Sequence, residues 1–428
     1  MLSITYEIDP GGDIELVLNK PNNQKIVPVL RFTQDVSDPD NTESDDTILL
    51  NDEELSDEEL NDPSFDNPPC DGRYSVFKEL YPADETYVSP VDSEVRMRVS
   101  SRHLILASQT FKAMLEGPWS EGASSSQSVR QINTSEWDAM AFAIVLDIIH
   151  GRHRGIPEDM TLGLVTRIAT IVDYYGFHEA LYVYRKSWLS ENLEVKAPTD
   201  ELSDASLLCL YAAWVFSDKV TMSSMARLVL LYSEGLAQIN TSDLPIGGIL
   251  DVIEGQRQYL ITESLQLLDA LVEQLLEEKG CPVEQDSQCT ALTLGVLLRS
   301  RHEIPVLSIP PEQPHNGYSV NFVLRAIADI EEPKELHSKN IKSRISKRIT
   351  PPCSIKGRLA GSIESIQSEI WSLCMRDTLE KTLKGETSDR VYYNGIDLEV
   401  LRARCLDVLR RPLVTGIDVL DDIQLRRV

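Results

Sequence analysis

The clearest pattern of hydrophobic and polar positions lies between residues 95 and 115, where a period of two changes to a helical period. In residues 95–99, valine and methionine alternate with arginine, as in a strand with one buried and one solvated face. Beyond them the apolar positions recur at steps of three and four, at Leu104, Ala107, Phe111 and Leu115. The pattern predicts a strand that leads directly into a helix, with the hydroxyl of Ser100 or Ser101 capping the first helical turn.

Two segments near the start of the chain also predict strands. Residues 4–8 and 14–18 are rich in β-favouring apolar residues and flank Asp9-Pro-Gly-Gly-Asp13, where glycine permits a tight reversal. We expect residues 14–18 to pair with 95–99, which makes the intervening segment, about 19–94, a long insertion into a loop. Such an insertion is tolerated because the entropy of loop closure rises slowly with loop length.

Helical periodicity dominates the rest of the chain. After a third predicted strand at 128–132, Thr134 or Ser135 is placed to cap a helix that ends near Gly151. Further segments carry apolar stripes at helical spacing: 162–175 closed by Gly176, 177–193, 202–216, 222–234, 250–279, 281–298 and 364–373. The order of elements predicts a small sheet flanked by helices and followed by an all-α region.

Residues 95–115 resemble the BTB (POZ) family, in which a strand and a short polar turn lead to a helix ending in Ser-x-x-Phe and a hydrophobic pair. Ser108-Gln-Thr-Phe111 and Met114-Leu115 match that ending, and residues 98–108 are similar to the largely uncharacterised fungal members. The resemblance covers residues 1–18 and 95–193 and implies an α+β BTB domain. It assigns structural or interface roles to eight residues: Asp13, Val99, Ser100, His103, Leu104, Ser108, Phe111 and Leu115.

A charged pocket known from the family is incomplete in this sequence. In some members a basic residue, preceded by a histidine, follows the strand and forms a partner-recruiting pocket with an Asp of the first strand. Asp13 supplies the Asp, but Ser100 and Ser101 stand where the histidine and the basic residue are expected. The basic half is missing unless Arg102 substitutes for it. We therefore do not expect this pocket here.

The pattern and the resemblance together divide the chain into four parts. These are a BTB-like domain at 1–193 with an insertion at about 19–94, a helical domain at 194–310, a loop and helical extension at 311–376, and a weakly ordered tail at 377–428. At the start of the insertion, residues 25–32 are a candidate edge strand.

The insertion is strongly acidic. Residues 35–66 contain fourteen Asp or Glu and no Lys or Arg, so self-repulsion and the scarcity of apolar area predict disorder. Ile48, Leu49 and Leu50 are followed by acids and resemble a SUMO-interacting motif. Ser56 precedes three acids and resembles an acidophilic kinase site. A solvated charge run explains both patterns, and we favour that explanation.

Composition narrows the class of partner. The chain of 428 residues has a net charge of -27 and is 42% hydrophobic, enough for more than one core. The acidic balance argues against nucleic acid as a partner, since phosphates demand a basic footprint. The apolar runs are too short to span a membrane, and the first residues predict no signal peptide. Seven scattered cysteines without C-x-x-C pairs favour a reduced intracellular compartment, nucleus or cytoplasm.

No pattern of catalytic residues emerges, so we predict a protein that is not an enzyme and uses no cofactor. The sequence lacks G-x-S-x-G, a P-loop, H-E-x-x-H and G-x-G-x-x-G. His150 and His153 straddle a helix end without a third ligand, so we interpret them as solvent-facing or helix-dipole partners. The basic run 339–348 is either a nuclear localisation signal or, as we favour, an exposed loop that balances the acidic insertion.

Three cysteines are the strongest candidate metal ligands. Cys281, Cys289 and Cys353, with His302 or His337, offer the four ligands of a tetrahedral zinc site. However, the spacing between the first two cysteines is atypical and no second close pair follows. Since buried cysteines are common core residues, we predict no metal site.

These observations favour a scaffold protein that binds other proteins through a BTB domain. The resemblance implies an exposed helix and strand edge, and such surface is usually covered by a second copy, so we expect a homodimer. Two alternatives stay open. One is a substrate adaptor for a cullin-type ubiquitin ligase, although kelch and ankyrin repeats are missing. The other is a nuclear transcriptional co-regulator that uses the acidic insertion.

Overall fold

A four-stranded sheet organises the first half of the computed structural model. The strands in chain order are β1 (Leu2–Glu7), β2 (Ile14–Asn19), β3 (Val29–Leu30), β4 (Ser93–Val99), β5 (Arg130–Ser135) and β6 (Ile239–Asn240). The sheet has the order β1-β4-β2-β5, and β3 pairs with β6 in a separate two-stranded sheet. The structure describes residues 2–32, 70–81, 93–117, 129–158, 160–185, 187–189, 202–282, 285–333 and 353–385.

Helices make up most of the other described residues. In chain order they are α1 (Ser101–Ala107), α2 (Gln109–Glu116), α3 (Ala139–Ile149), α4 (Leu162–Tyr175), α5 (His178–Leu181), α6 (Asp204–Val215), α7 (Lys219–Tyr232), α8 (Gly247–Glu277), α9 (Ser287–Glu303), α10 (Pro305–Ser308), α11 (Val320–Ala328) and α12 (Ile355–Gly385). The fold is mixed α/β with a small sheet and a majority of helices. Within the described ranges, no helix combines the length and the apolar character that crossing a membrane requires.

Strand β4 lies inside the sheet, although the insertion separates it from β2 in sequence. It pairs antiparallel with β2, with Ile14 opposite Val99, which confirms the predicted pairing. It also pairs parallel with β1, so the turn at residues 9–13 connects two strands that flank β4 rather than a hairpin. Gly12 is required in this turn, since a Cβ on it would lie 2.3 Å from the carbonyl oxygen of Val99.

The alternation that predicted β4 corresponds to the two faces of the sheet. Val95, Met97 and Val99 are fully buried in the core. On the opposite face Arg96 forms an ion pair with Glu15 of β2 at 3.1 Å. The sheet therefore has one apolar face that packs into the core and one polar face.

The helix predicted at residues 104–115 is in fact two helices. Ser108 separates α1 from α2 because its backbone is extended, with φ -143° and ψ 123°. Its hydroxyl accepts a hydrogen bond from the N–H of Phe111 at 3.0 Å, which caps α2. The same hydroxyl donates to the carbonyl of Tyr175 at 2.5 Å. The predicted apolar stripe still faces the core on both sides of the break.

Helices α3 and α4 follow the sheet and contribute much of the N-terminal core. Asp138 caps α3 by accepting a hydrogen bond from the N–H of Ala141 at 2.7 Å. The predicted caps Thr134 and Ser135 instead belong to β5, which ends later than expected. Helix α4 ends as predicted at Gly176, which has the left-handed φ of 72° that glycine permits.

Parts of the insertion are packed, which corrects the prediction of disorder across about 19–94. A 3₁₀ helix, Gly72–Leu80, buries three of its side chains: Tyr74, Phe77 and Leu80. Strand β3 pairs antiparallel with β6, so the candidate edge strand at 25–32 contacts the helical region rather than the main sheet. Residues 33–69 and 82–92 lie outside the described residues.

The core is continuous from the sheet into the later helices. Helix α4 packs against α6, α6 against α7, and α8 contacts α7, α9 and α11. Buried residues from Tyr6 to Ile370 belong to one cluster. The helices predicted at 202–216, 222–234 and 250–279 correspond to α6, α7 and α8, whereas 281–298 becomes helical only at Ser287. The domain boundaries at 193 and 310 stay sequence predictions.

Candidate functional site

The junction between β4 and α1 is held by Asp13, the residue before β2. The Asp13 carboxylate accepts hydrogen bonds from the N–H of Ser101 at 2.8 Å and from the Ser101 hydroxyl at 2.7 Å. It therefore caps α1 from another part of the chain. The expected serine caps are wrong, because Ser100 makes no side-chain capping bond and Ser101 donates its hydroxyl to Asp13. Arg102, the candidate basic half of the family pocket, is exposed.

The other side of the junction is fixed by His150 at the end of α3. The N–H of Ser100 donates to Nε2 of His150 at 3.0 Å, and Nδ1 lies 2.7 Å from the carbonyl oxygen of Leu146. The neutral ring with hydrogen on Nδ1 satisfies both contacts, and burial lowers the pKa of His150. The ring of His103 lies against this ring in a tilted arrangement, with 4.7 Å between centroids. His150 is therefore not solvent-facing, and it bonds the last turn of its own helix.

Most residues that carry the family resemblance are core residues. Five of the eight are buried: Val99, Leu104, Ser108, Phe111 and Leu115. Phe111 stacks on Tyr175 with 4.8 Å between ring centroids. Asp13 and His103 are exposed, and Ser100 is half-buried. The motif therefore specifies mainly the packing of α1 and α2, and of its eight residues only Asp13, Ser100 and His103 reach the surface.

Leu106 of α1 is the most exposed large apolar residue among the described residues of the N-terminal part. Its side chain is 86% exposed, the largest value for a large apolar residue in the described part of the chain, and its neighbours Ile105 and Ala107 are half-buried. The second open feature is β1, which pairs only with β4 among the described strands and so forms an edge of the sheet. Contacts between proteins commonly bury surfaces of both kinds.

A buried carboxylate that the sequence analysis missed joins the insertion to the core. Asp147 of α3 has a fully buried side chain, and its Oδ1 lies 3.2 Å from Nη2 of Arg73. Its Oδ2 accepts hydrogen bonds from the hydroxyls of Tyr6 at 2.6 Å and Tyr74 at 3.0 Å. Burial raises the pKa of Asp147. The signal in the sequence was a single acid within an otherwise apolar helix of 11 residues.

A second buried ion was also missed. Arg257 of α8 is fully buried, and its Nε and Nη2 donate to the Glu254 carboxylate at 2.8 and 2.7 Å. Nη1 donates to the carbonyls of His315 and Tyr318 at 3.1 and 2.6 Å. Nη2 also donates to the carbonyl of Pro314 at 2.7 Å. Arg257 thus holds the loop before α11 against α8. Its position within the apolar stripe of α8 is the sequence feature that could have indicated a buried arginine.

The structure brings Cys281, Cys289 and Cys353 together. Their sulfur atoms all lie within 4.8 Å of one another, and they form a buried cluster apart from the main core. Burial raises the pKa of Cys289 to about 12 and also raises the pKa of Cys353. The three cysteines are buried, as expected of core cysteines, but they also lie next to one another, which their spacing in the sequence did not indicate. His302 is exposed and outside this cluster, and His337 lies outside the described residues.

A surface cleft lies beside the 3₁₀ helix His153–Gly155. It has a volume of about 440 Å³ and is lined by this helix, by Glu158 and by aromatic residues that include Tyr184 and Trp188. Nδ1 of His153 lies 2.6 Å from the Tyr184 hydroxyl. His153 is therefore engaged with a tyrosine. In the described part of the chain, the cysteine cluster is the only group of three metal-ligating side chains that lie together.

Several predicted sites lie outside the described residues. These are Ile48, Leu49 and Leu50 of the segment similar to a SUMO-interacting motif, Ser56 of the kinase-site pattern, and the basic run 339–348. For the predicted tail at 377–428, helix α12 continues to Gly385, and residues 386–428 lie outside the described residues.

Comparison with known proteins gives no match for this chain among family models, curated proteins or solved structures. Function is therefore inferred from its own residues and contacts.

Proposed function

We propose that this protein is a non-enzymatic interaction scaffold whose N-terminal BTB-like domain self-associates. The order of elements supports a BTB-like fold, since β4 pairs with β2 and leads into α1 and α2, and β5 and two helices follow. The buried positions of Leu104, Phe111 and Leu115 agree with the motif that carries the resemblance. The non-enzymatic role rests on the missing catalytic motifs in the sequence.

The observation that carries the proposal is the exposure of Leu106. Covering an exposed leucine side chain stabilises a complex by about 1.5–3 kcal/mol before the costs of association. The edge of β1 adds unpaired backbone groups that a second strand can bond. A single charged residue, Glu7, occurs in this strand, so little charge opposes strand pairing there. A contact through α1 thus gains apolar burial, and a contact through the edge of β1 gains hydrogen bonds.

A second copy of the chain is the occupant that we propose for this surface. A two-fold axis places the same surface of each copy against the other, so Leu106 of one copy covers α1 of its partner. An antiparallel pair of identical edge strands satisfies the same symmetry. Self-association also agrees with the dimer that the family resemblance implies.

Light scattering coupled to size-exclusion chromatography tests the proposal on the full chain, because α4 packs against α6 and the N-terminal part shares its core with the later helices. We expect the mass of a dimer for the unmodified protein. L106D places a charge in the proposed contact, so we expect the mass of a monomer with an unchanged circular dichroism spectrum.

A matched control is L276D, since Leu276 is also an exposed helical leucine, 66% exposed, on α8. This variant is expected to keep the dimer. A monomeric unmodified protein at the highest soluble concentration would overturn self-association. A dimer that persists in L106D would overturn the assignment of the contact to α1.

A further inference from the structure

The three cysteines of the cluster come from chain segments that are separate in sequence. Cys281 follows the end of α8, Cys289 lies in the first turn of α9, and Cys353 lies just before α12. Their side chains are 0%, 7% and 0% exposed. Three thiols from three segments therefore converge at one buried point, whereas Cys70 and Cys209 lie elsewhere.

The loop that carries Cys281 is closed tightly on itself. The N–H of Cys281 donates to the carbonyl of Asp286 at 3.1 Å, and the N–H of Gln285 donates to the carbonyl of Cys281 at 2.8 Å. Gly280 permits this closure, because a Cβ on it would lie 2.3 Å from the carbonyl oxygen of Gln285. The loop thus presents Cys281 to the first turn of α9, where Cys289 lies.

Burial raises the pKa of Cys289 and of Cys353, and positive charge nearby opposes this effect. Cys289 lies in the first turn of α9, and Cys353 lies beside the first turn of α12, and each helix N-terminus carries a partial positive charge. Arg358, which is paired with Glu278, also lies near Cys353 and donates from Nε to the Cys353 carbonyl at 3.1 Å. A bound cation would supply the remaining positive charge that keeps these sulfur atoms as thiolates.

We propose that Cys281, Cys289 and Cys353 bind one Zn²⁺ ion that joins the three segments. Zinc–sulfur bonds of about 2.3 Å in tetrahedral geometry place sulfur atoms about 3.8 Å apart, which fits a cluster whose sulfur atoms lie within 4.8 Å of one another. Each thiol that becomes a ligand releases its proton to solvent. The described residues supply three ligands, which leaves the fourth tetrahedral position to water.

The ion has a structural role in this position. Arg358 of α12 already forms a bidentate ion pair with Glu278, which follows α8, at 2.6 and 2.8 Å. Zinc would join the same two segments a second time and add the start of α9. This role goes beyond self-association and does not depend on it.

The experiment measures the metal content of the full chain, purified under reducing conditions without chelators. We expect about one zinc per chain by inductively coupled plasma mass spectrometry. Replacement by Co²⁺ is expected to give intense sulfur-to-metal charge-transfer absorption in the near ultraviolet. C281S and C289S are each expected to lose the bound zinc and this absorption.

The matched control is C209A, because Cys209 is equally buried but lies in α6, away from the cluster. It should retain the zinc. If C281S or C289S does not fold, the unmodified chain still decides the matter by titration with Zn²⁺ and Co²⁺. Absence of binding by the reduced chain, zinc retained in both folded serine variants, or a native disulfide within the cluster would each overturn the site.

Discussion

Two buried ions hold irregular segments to the core, and they differ in how completely they are satisfied. Asp147 binds the 3₁₀ helix of the insertion through Tyr74 and Arg73. Arg257 binds the loop before α11 and forms hydrogen bonds from all three of its nitrogen atoms. Asp147 has hydrogen bonds on Oδ2, while its Oδ1 lacks one and only faces a guanidinium.

The difference shows where each segment's stability comes from. Arg257 shares the interior with Glu254, so neither ion can lose its partner without leaving a buried charge. The side chain of Arg73 is 26% exposed, so water can solvate its guanidinium group if Asp147 is removed. We therefore expect the helical region to be more sensitive than the N-terminal part to loss of its buried ion.

The largest expected effect follows from R257M. This change keeps much of the side-chain volume but removes the donor of three loop carbonyls and leaves the buried Glu254 carboxylate with a hydrogen bond from Gln258 but no cation. We expect a loss of about 3–5 kcal/mol in the free energy of unfolding, as found when one partner of a buried ion pair is removed. Urea unfolding followed by circular dichroism measures it.

The control for this variant is R299M. Arg299 also pairs with an acid on its own helix, Glu303 at 2.8 Å, but both side chains are exposed. We expect R299M to change stability by less than about 1 kcal/mol. The double variant E254Q/R257M should recover part of the loss, because the unpaired buried charge is gone. A similar cost for R257M and R299M would contradict the role given to Arg257.

The second-largest expected effect follows from replacing Asp147, the less completely satisfied of the two buried ions. D147N keeps the shape but removes the charge that faces Arg73 and weakens the hydrogen bonds from Tyr6 and Tyr74. We expect a loss of about 1–3 kcal/mol in the free energy of unfolding. Amide hydrogen exchange of residues 72–80 should accelerate more than exchange in α8.

Y74F is the graded control, since it removes one of the two hydroxyl donors and leaves the carboxylate charged. A loss of about 0.5–1.5 kcal/mol is expected. Equal acceleration of exchange in residues 72–80 and in α8 would show that Asp147 stabilises the whole core rather than this segment. That result would contradict the idea that Asp147 and Arg257 each stabilise a separate segment.

Hydrophobic periodicity was sufficient to predict most helices and strands, but it did not predict the roles of the two buried ions, Asp147 and Arg257. The β4 alternation and the stripe through Phe111 were readable because burial repeats along the chain. The break at Ser108 was not, since it depends on a hydrogen bond to Tyr175 in a distant helix. Asp147 and Arg257 interrupt apolar stripes. Such an interruption indicates that the charged residue has a buried partner, but it does not identify that partner. The meeting of the three cysteines likewise depends on tertiary packing.

Asp13 is a third ion that holds an element in place. It is exposed, so we expect its removal to cost less free energy of unfolding than removal of Arg257 or Asp147. D13A removes the carboxylate that accepts two hydrogen bonds from Ser101, so we expect a loss of about 1 kcal/mol, as for other helix caps. D13N should retain most of this stability because asparagine is also a good cap. Burial raises the pKa of Asp13, but the hydrogen bonds from Ser101 outweigh it and leave that pKa below its usual value. A cost above that of D147N would contradict the ranking.

The smallest effect is the pH dependence that His150 contributes at the same junction. Burial lowers its pKa below the usual 6.5, so the unfolded chain binds the proton more readily than the folded one. Its contribution is fully present above about pH 6.5 and is lost as pH falls through the lowered pKa. The slope is at most about 1.4 kcal/mol per pH unit, the limit for one proton.

H150Q isolates this contribution, because Asp147, with a raised pKa, and His315, with a lowered pKa, are present in both proteins. We expect the stability difference between the unmodified protein and H150Q to shrink as pH falls from about 7.5 to about 5. H178Q, at a histidine with an exposed side chain, is the matched substitution away from this junction. A stability difference for H150Q that does not change with pH would mean that the contact between Ser100 and His150 is independent of protonation of the imidazole. The junction would then depend on Asp13 alone.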